Sequence, residues 1–499
     1  MIAKVLAVFC LCFALQSPAG AAETSGDNYF NVRSFGAMGD GRSLDSPAIN
    51  KAIAACAQSG GGTVYFPAGT YLSGSIHLQS NIHLLIDAGA TILGAPQNLN
   101  AYDRAEPFQG KAYQDAGHTY FHNSLIWGEN LTNISITGNG RINGGGLARN
   151  SKVAPPATAN KSIALKLCRN VELRDFTIYH GGWFGVLVTG CDDLTVDNVT
   201  MDTDRDGIDI DCCRNTIVSN CRINSPNDDG ICPKSTFALG TNVITENLTI
   251  ANCQVSGFAE GTLLDGTMRP GRAKNGRIKF GTESSGGFRN CTVANCTFRG
   301  CKGLALEEVD GGILENITIN NISMMDVAGY PIYITTGKRN RTPGLTTTST
   351  IRNIFISDVV ATGVDRASGI QINGLPEKPV EGVHLENIRL VFNGGGTTND
   401  AARVPAELGA GYPEPRGVMP AYGLFARHVK DLELANITTS FMAADLRPAM
   451  EFIDVHGLEL DNVKPQVEAG AKAALLENVS GVQIRNSSAL HRSWFSRLF

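Results

Sequence analysis

The sequence predicts an all-β chain wound as a right-handed parallel β-helix, with a short helix capping its N-terminal end. Three observations carry this expectation. One phrase, a turn residue followed by alternating apolar positions and often then Asn or Cys, recurs along the chain; its copies are spaced by roughly one coil; and glycine is frequent, at 56 of 499 residues. The phrase begins at Asn130, Asn170, Asp193, Asn215, Asn247, Asn290, Asn316, Asn353, Gly382, Asp431, Gly457 and Gly481. From Asn170 onward the intervals are 23, 22, 32, 43, 26, 37, 29, 49, 26 and 24 residues, so the longer ones read as the same coil carrying a loop.

Val, Ile and Leu at alternate positions of each phrase predict strands with one buried face. Stacked coils bury a continuous apolar ladder without a second layer of helices. A leucine-rich horseshoe would need a more regular period and a leucine-dominated consensus, which the chain lacks. The phrase also creates N-x-S/T sequons, as at Asn130, Asn198, Asn247 and Asn316, and these Asn side chains are expected to bond turn backbone from coil to coil.

Before the repeats, the apolar periodicity from Ser46 to Ala57 predicts the capping helix, which would cover an otherwise bare strand edge. Gly60 to Gly62 read as a turn, since no Gly-Lys-Ser/Thr follows to make a phosphate loop. Residues 1–22 hold one Lys, an apolar stretch and small residues ending near Ala22, the pattern of a secretory signal rather than of a membrane span. Export to a periplasm or beyond is expected, with residues 23–499 forming one β-helix domain.

Cys10 and Cys12 fall in that leader, which leaves eleven of the thirteen cysteines, an odd number that forbids complete pairing. Cys221, Cys253 and Cys296 occupy equivalent places in the phrase and are expected to pack as small hydrophobes; a disulfide involving Cys191, Cys212 or Cys213 stays open. There are no zinc-type CxxC pairs, and neither a metal nor an organic cofactor is expected. A net charge of -5 argues against a nucleic-acid partner, and the oligomeric state is not readable.

The chemistry concentrates between residues 203 and 234. TDRDGIDID and SPNDDGICPK fall into register when slid by 23 positions, so that Asp206-Gly207-Ile208 lies over Asp229-Gly230-Ile231. One coil apart, the carboxylates of Asp206, Asp228 and Asp229 would stand on neighbouring strands roughly 4.8 Å apart. Each raises the pKa of its neighbours, so one holds a proton while another stays ionised. An acid and a base on one surface suit glycosidic cleavage. A calcium loop is the competing reading, against which no glutamate follows at the EF-hand position.

FGAMGDG with GGGTVYFPAGTYLSGSIHL, the Trp of HGGWFG, the two acidic blocks and FGTESSGG together resemble the polygalacturonase-like glycoside hydrolases of family 28 over residues 29 to 340. The resemblance implies a right-handed parallel β-helix that hydrolyses pectic polysaccharide with inversion. It places the family's Asn-Thr-Asp on Asp204-Arg205-Asp206 and its Gly-Asp-Asp on Asn227-Asp228-Asp229, making Asp228 the general acid and Asp206 and Asp229 the holders of the water. The chain departs from the family at Gly-His-Gly, which falls near Asn275-Gly276-Arg277, and at Arg-Ile-Lys, which falls on Ala305-Leu306-Glu307. Arg277 and Lys279 then offer replacement positive charge, whereas Glu307 and Glu308 would repel a uronic acid and favour a neutral sugar such as rhamnose.

Further substrate-binding candidates follow from position. Asp209 and Asp211 alternate with Ile208 and Ile210 and should face outward; Lys234, opposite Asp211 one coil on, is otherwise a ladder salt bridge. His180 and Trp183 lie one coil before Asp206, with Trp183 either a platform for a sugar ring or partly buried packing. Glu283 comes from the coil carrying Lys279 and would bind substrate or pair with that lysine. The insertion 257–275 and the interruptions at 101–123 and 393–422 are expected to wall the groove, favouring chain ends. The tail HRSWFSRLF reads as an apolar plug. Two other readings stay open: a polysaccharide lyase on the same fold, and a non-catalytic glycan-binding solenoid.

Overall fold

The computed structural model describes residues 29–108, 116–150, 158–411, 413 and 417–496. The expected leader lies outside these residues, as do the side chains of the tail from His491 onward.

Strands pair in parallel, coil upon coil, from Tyr29–Asn31 to Trp494–Ser496. The fold is the expected right-handed parallel β-helix. One column of side chains runs through the repeated phrases: Ile134, Val171, Leu194, Thr216, Leu248, Cys291, Ile317, Ile354, Val383, Leu432, Leu458 and Val482 are Cα partners in succession. This register moves the first anchor from Asn130 to Asn133, because Asn133 precedes Ile134 as Asn170 precedes Val171.

The anchor residue of each phrase turns out to be a backbone requirement. Asn133, Asn170, Asp193, Asn215, Asn247, Asn290, Asn316, Asn353 and Asp431 all hold φ between 53° and 58°, and Gly382, Gly457 and Gly481 fill the same place. Five residues on, a second left-handed position recurs, for instance at Asn198, Asn220, Asn252, Asn295 and Asn321. Only Gly, Asn and Asp enter that region readily, which explains the phrase's restricted alphabet. The Asn side chains do bridge coils, but to Asn and Asp side chains rather than to turn backbone. Asn247 Nδ2 donates to Asn215 Oδ1 at 3.2 Å, and Asn295 Nδ2 to Asn252 Oδ1 at 3.1 Å.

The capping helix α1 (Ser46–Gln58) starts with Pro47 in its first turn and buries Ile49, Ala52, Ile53 and Cys56 against the first coils. Its Asp45 accepts from the backbone N–H of Met38 and Gly39, at 2.7 and 3.0 Å, fixing the FGAMGDG turn. At Gly61 φ is 115° and a Cβ would meet the Asn81 carbonyl oxygen at 2.5 Å, so the glycine run is a turn demanded by close approach. All eleven described cysteines are free and buried, including Cys191, Cys212 and Cys213. Cys221, Cys253 and Cys296 sit in the core as expected.

The acidic blocks belong to a separate six-stranded parallel sheet: β1 (Ile76–His77), β2 (Ile126–Glu129), β3 (Lys161–Lys166), β4 (Phe184–Thr189), β5 (Asp206–Asp211) and β6 (Ile231–Lys234). The same face continues through β7 (Lys279–Phe280), β8 (Leu304–Glu308) and β9 (Ile332–Thr336). No described helix is long and apolar enough to cross a membrane.

Candidate active site

Strands β5 and β6 pair in the anticipated 23-residue register, with Ile208 against Ile231 and Asp211 against Lys234. Ile208 and Ile210 enter the core, and the acids gather on the opposite face. Asp206 is 5% exposed and Asp229 1%, whereas the side chain of Asp228 keeps 25% of its surface. Asp228 thus faces outward, where a general acid must be.

Their surroundings drive the three carboxyls apart. Asp229 is held by Arg277 Nε at 2.7 Å and Lys279 Nζ at 3.1 Å; although burial opposes ionisation, the two cations overcome it and keep this carboxyl far below the usual range. Asp206 goes the other way: burial, then the charge of Asp228, push it well above the usual range. Asp228 is raised by desolvation and by Asp229, against the opposing pull of Arg205. Arg205 Nη2 pairs with Asp228 Oδ2, and its guanidinium carbon lies 3.8 Å from the centre of the Trp183 ring. Trp183 is therefore both half-buried packing, against Phe184, and a platform, on which a guanidinium rests.

Several expected substrate contacts are buried instead. Asp211 accepts from Thr189, from the Thr236 hydroxyl and from the Thr236 N–H, so it clamps a turn and does not meet a sugar. Lys234 stands opposite Asp211 in register, but its Nζ turns to Glu283 at 2.6 Å and lies 3.8 Å from Asp209. Glu283 pairs with Lys234 and Arg339 rather than with Lys279, and these cations hold it well below the usual carboxylate range against the cost of its burial. Arg277 and Lys279 supply positive charge as expected, yet they direct it onto Asp229. Glu307 is fully buried, 3.8 Å from Arg277 Nη2, and so presents no repulsive charge at the surface.

Four further groups belong to the site without having been expected there. His118, from the 101–123 interruption that was expected to wall the groove, reaches within 3.8 Å of Asp209 and packs edge-on to Phe184, bringing to the acids an imidazole that was not singled out. Arg205 lies in plain view inside the Asp-Arg-Asp block, where a cation between two acids is the signal that could have found it. Arg149 and Glu260 meet His180 at the rim: Glu260 Oε1 lies 2.9 Å from His180 Nδ1, and Arg149 Nη2 2.7 Å from Glu260 Oε2. Glu260 brings the insertion 257–275 to the rim. On the far side, Tyr333 donates to the Pro413 carbonyl and Arg427 to those of Pro405 and Ala406, so these described parts of the 393–422 segment lie over the same face.

Oxygens of Asp206 and Asp229 and the sulfur of Cys232 lie within 4.8 Å of one another. The donor set does not suit calcium, because Asp229 is already neutralised by two cations and a thiol is a poor calcium ligand.

Comparison with known proteins bears on family and fold. Residues 29–259 match the family described as rhamnogalacturonase A/epimerase, pectate lyase-like, and residues 280–410 match glycosyl hydrolases family 28. The chain thus resembles the polygalacturonase-like glycoside hydrolases, its family-28 match falling on residues 280–410. It is 31% identical over 215 residues to a probable polygalacturonase of Vitis vinifera, covering 40% of the chain and 43% of that relative's length. It is 33% identical over 182 residues to plasmin and fibronectin-binding protein A of Streptococcus pneumoniae, covering 34% of the chain and 24% of the relative. Both matches span less than half of the relative's own length. The exopolygalacturonase of Thermotoga maritima superposes with a TM-score of 0.63 at 19% identity, over 83% of this chain and 91% of that one, a likeness of fold. The two acidic blocks lie within the part that matches the first of these families.

Proposed function

We propose that this chain is an exported glycoside hydrolase that cleaves a pectin-related glycan, of galacturonan or rhamnogalacturonan type, with inversion. The observation that carries the proposal is one carboxyl cluster in three different surroundings: Asp229 buried between Arg277 and Lys279, Asp206 buried with no cation in contact among the described residues, and Asp228 partly exposed beside Arg205, so that the first is pulled downward and the other two are pushed upward. Asp228, the most accessible of the three, donates its proton to the glycosidic oxygen as the bond to the anomeric carbon breaks. A water held by Asp206 and Asp229 attacks that carbon from the opposite face and yields its proton to Asp229. Asp206, whose carboxyl burial and the charge of Asp228 push well above the usual range, is the second carboxyl at that water.

The contacts that His118, Glu260 and the Pro405 and Ala406 carbonyls make from three irregular segments support action at chain ends, in keeping with the exopolygalacturonase whose fold the chain shares. The test measures reducing-sugar release and ultraviolet absorbance together, on homogalacturonan, rhamnogalacturonan and neutral side-chain oligosaccharides, for the wild type and Asp228→Asn. Release without absorbance, lost in the variant, is the expected result. Absorbance from an unsaturated product would make the protein a lyase, and binding without release in either protein would make it a glycan-binding solenoid.

A further inference from the structure

Four cations stand among the acids of this face, and each is buried against a carboxylate of the protein itself. Arg277 and Lys279 hold Asp229, Lys234 holds Glu283, and Arg339 pairs with Asp310 and Glu283. Arg205 also pairs with a carboxylate of the protein, but it differs in exposure. Its side chain keeps 24% of its surface, it stacks on the half-buried Trp183, and Asp228 is its ion-pair partner among the described residues. Flanked in sequence by Asp204 and Asp206, it cannot withdraw from the centre.

We propose that Arg205 is the specificity-determining residue that reads an acidic sugar, exchanging Asp228 for the carboxylate of a bound uronate. This rests on the hydrolase reading given above and names the substrate class of that site. A guanidinium presents five donors in a planar fork matched to a carboxylate, and stacking on an indole ring fixes the plane of that fork in advance. The exchange also serves the chemistry. Arg205 pulls the Asp228 pKa down while burial and Asp229 push it up. When a substrate carboxylate takes the guanidinium's charge, that downward pull weakens and Asp228 holds its proton more firmly. A neutral sugar would leave the pair intact, so recognition of the uronate and readiness of the acid are one event.

The experiment compares kcat/KM on an oligogalacturonate and on its methyl ester, for wild type, Arg205→Met and Arg205→Lys, each across pH. The ratio of free acid to ester is expected to fall at least tenfold in Arg205→Met and to recover in part in Arg205→Lys, which keeps the charge without the fork. The basic limb of the Arg205→Met profile is expected at higher pH, because Asp228 has lost its cation. An unchanged ratio with an unchanged basic limb, in a folded variant, overturns the inference. Absence of release by the wild type from either substrate overturns the hydrolase reading instead, and a wild type that prefers the ester overturns the inference while leaving hydrolysis standing.

Discussion

Asp229 and Arg277 stand 48 residues apart in the chain and 2.7 Å apart in space, carboxylate to guanidinium, with both side chains almost fully buried. This pair does more than stabilise the coil. With Lys279 it also holds the Asp229 carboxyl far below the usual range, against the cost of its burial.

Removal of Arg277 should therefore be felt twice. Arg277→Leu leaves a buried carboxylate with Lys279 alone and is expected to cost about 3 kcal/mol, the lower end for breaking a buried pair. Because the folded pKa of Asp229 is depressed, its contribution is present above the unfolded value near ~3.9 and is lost as pH falls through the folded one. In the variant that loss begins at higher pH, and the acidic limb of activity moves up with it. Urea unfolding between pH 3 and 7, beside a pH-rate profile, checks both.

Asp206 reverses the sign. Its folded pKa is raised, so its contribution is full below the unfolded value and disappears as pH rises through the folded one. Asp206→Asn, always neutral, should be more stable than the wild type at pH 7 by about 1 kcal/mol, close to the free energy of a tenfold change in proton affinity. The two proteins should converge near pH 3, and activity should fall at least a hundredfold at any pH. Equal stability at pH 7 would show that Asp206 is not forced to hold a proton.

The asparagine ladder gives a test of the fold. Asn252 has φ 57° and both gives and receives a ladder bond, to Asn220 and from Asn295. Asn252→Ala should cost about 2 kcal/mol, from left-handed strain and lost hydrogen bonds together. Asn252→Gly, which removes only the bonds, should cost about half as much. Equal losses would mean that the bonds and not the backbone set the choice of residue.

The eleven described cysteines should be silent to thiol reagents in the native state. All are buried, and burial lifts Cys291 and Cys301 to about 12. Titration with an aromatic disulfide is expected to report these thiols only after denaturation. Rapid native labelling of any of them, located by peptide mapping, would contradict the packing.

The sequence by itself determined the solenoid. An Asn, Asp or Gly before an alternating apolar run is a local statement about one backbone angle and one buried face, and Leu194, Leu248 and Ile317 fall in one column because each copy repeats it. The overlay of Asp206-Gly207-Ile208 on Asp229-Gly230-Ile231 was legible for the same reason, since one coil is a fixed translation. Only the tertiary structure decided the partners of the charges. Lys234 lies opposite Asp211 by register, yet its flexible stem reaches Glu283 on the next coil, and Asp211 is taken by Thr236. His118 reaches Asp209 from an interruption with no period, and Glu260 reaches His180 from an insertion. Register follows from repetition along the backbone, whereas an ion pair is settled by which charged ends, carried there by irregular loops, are left closest once the core has closed.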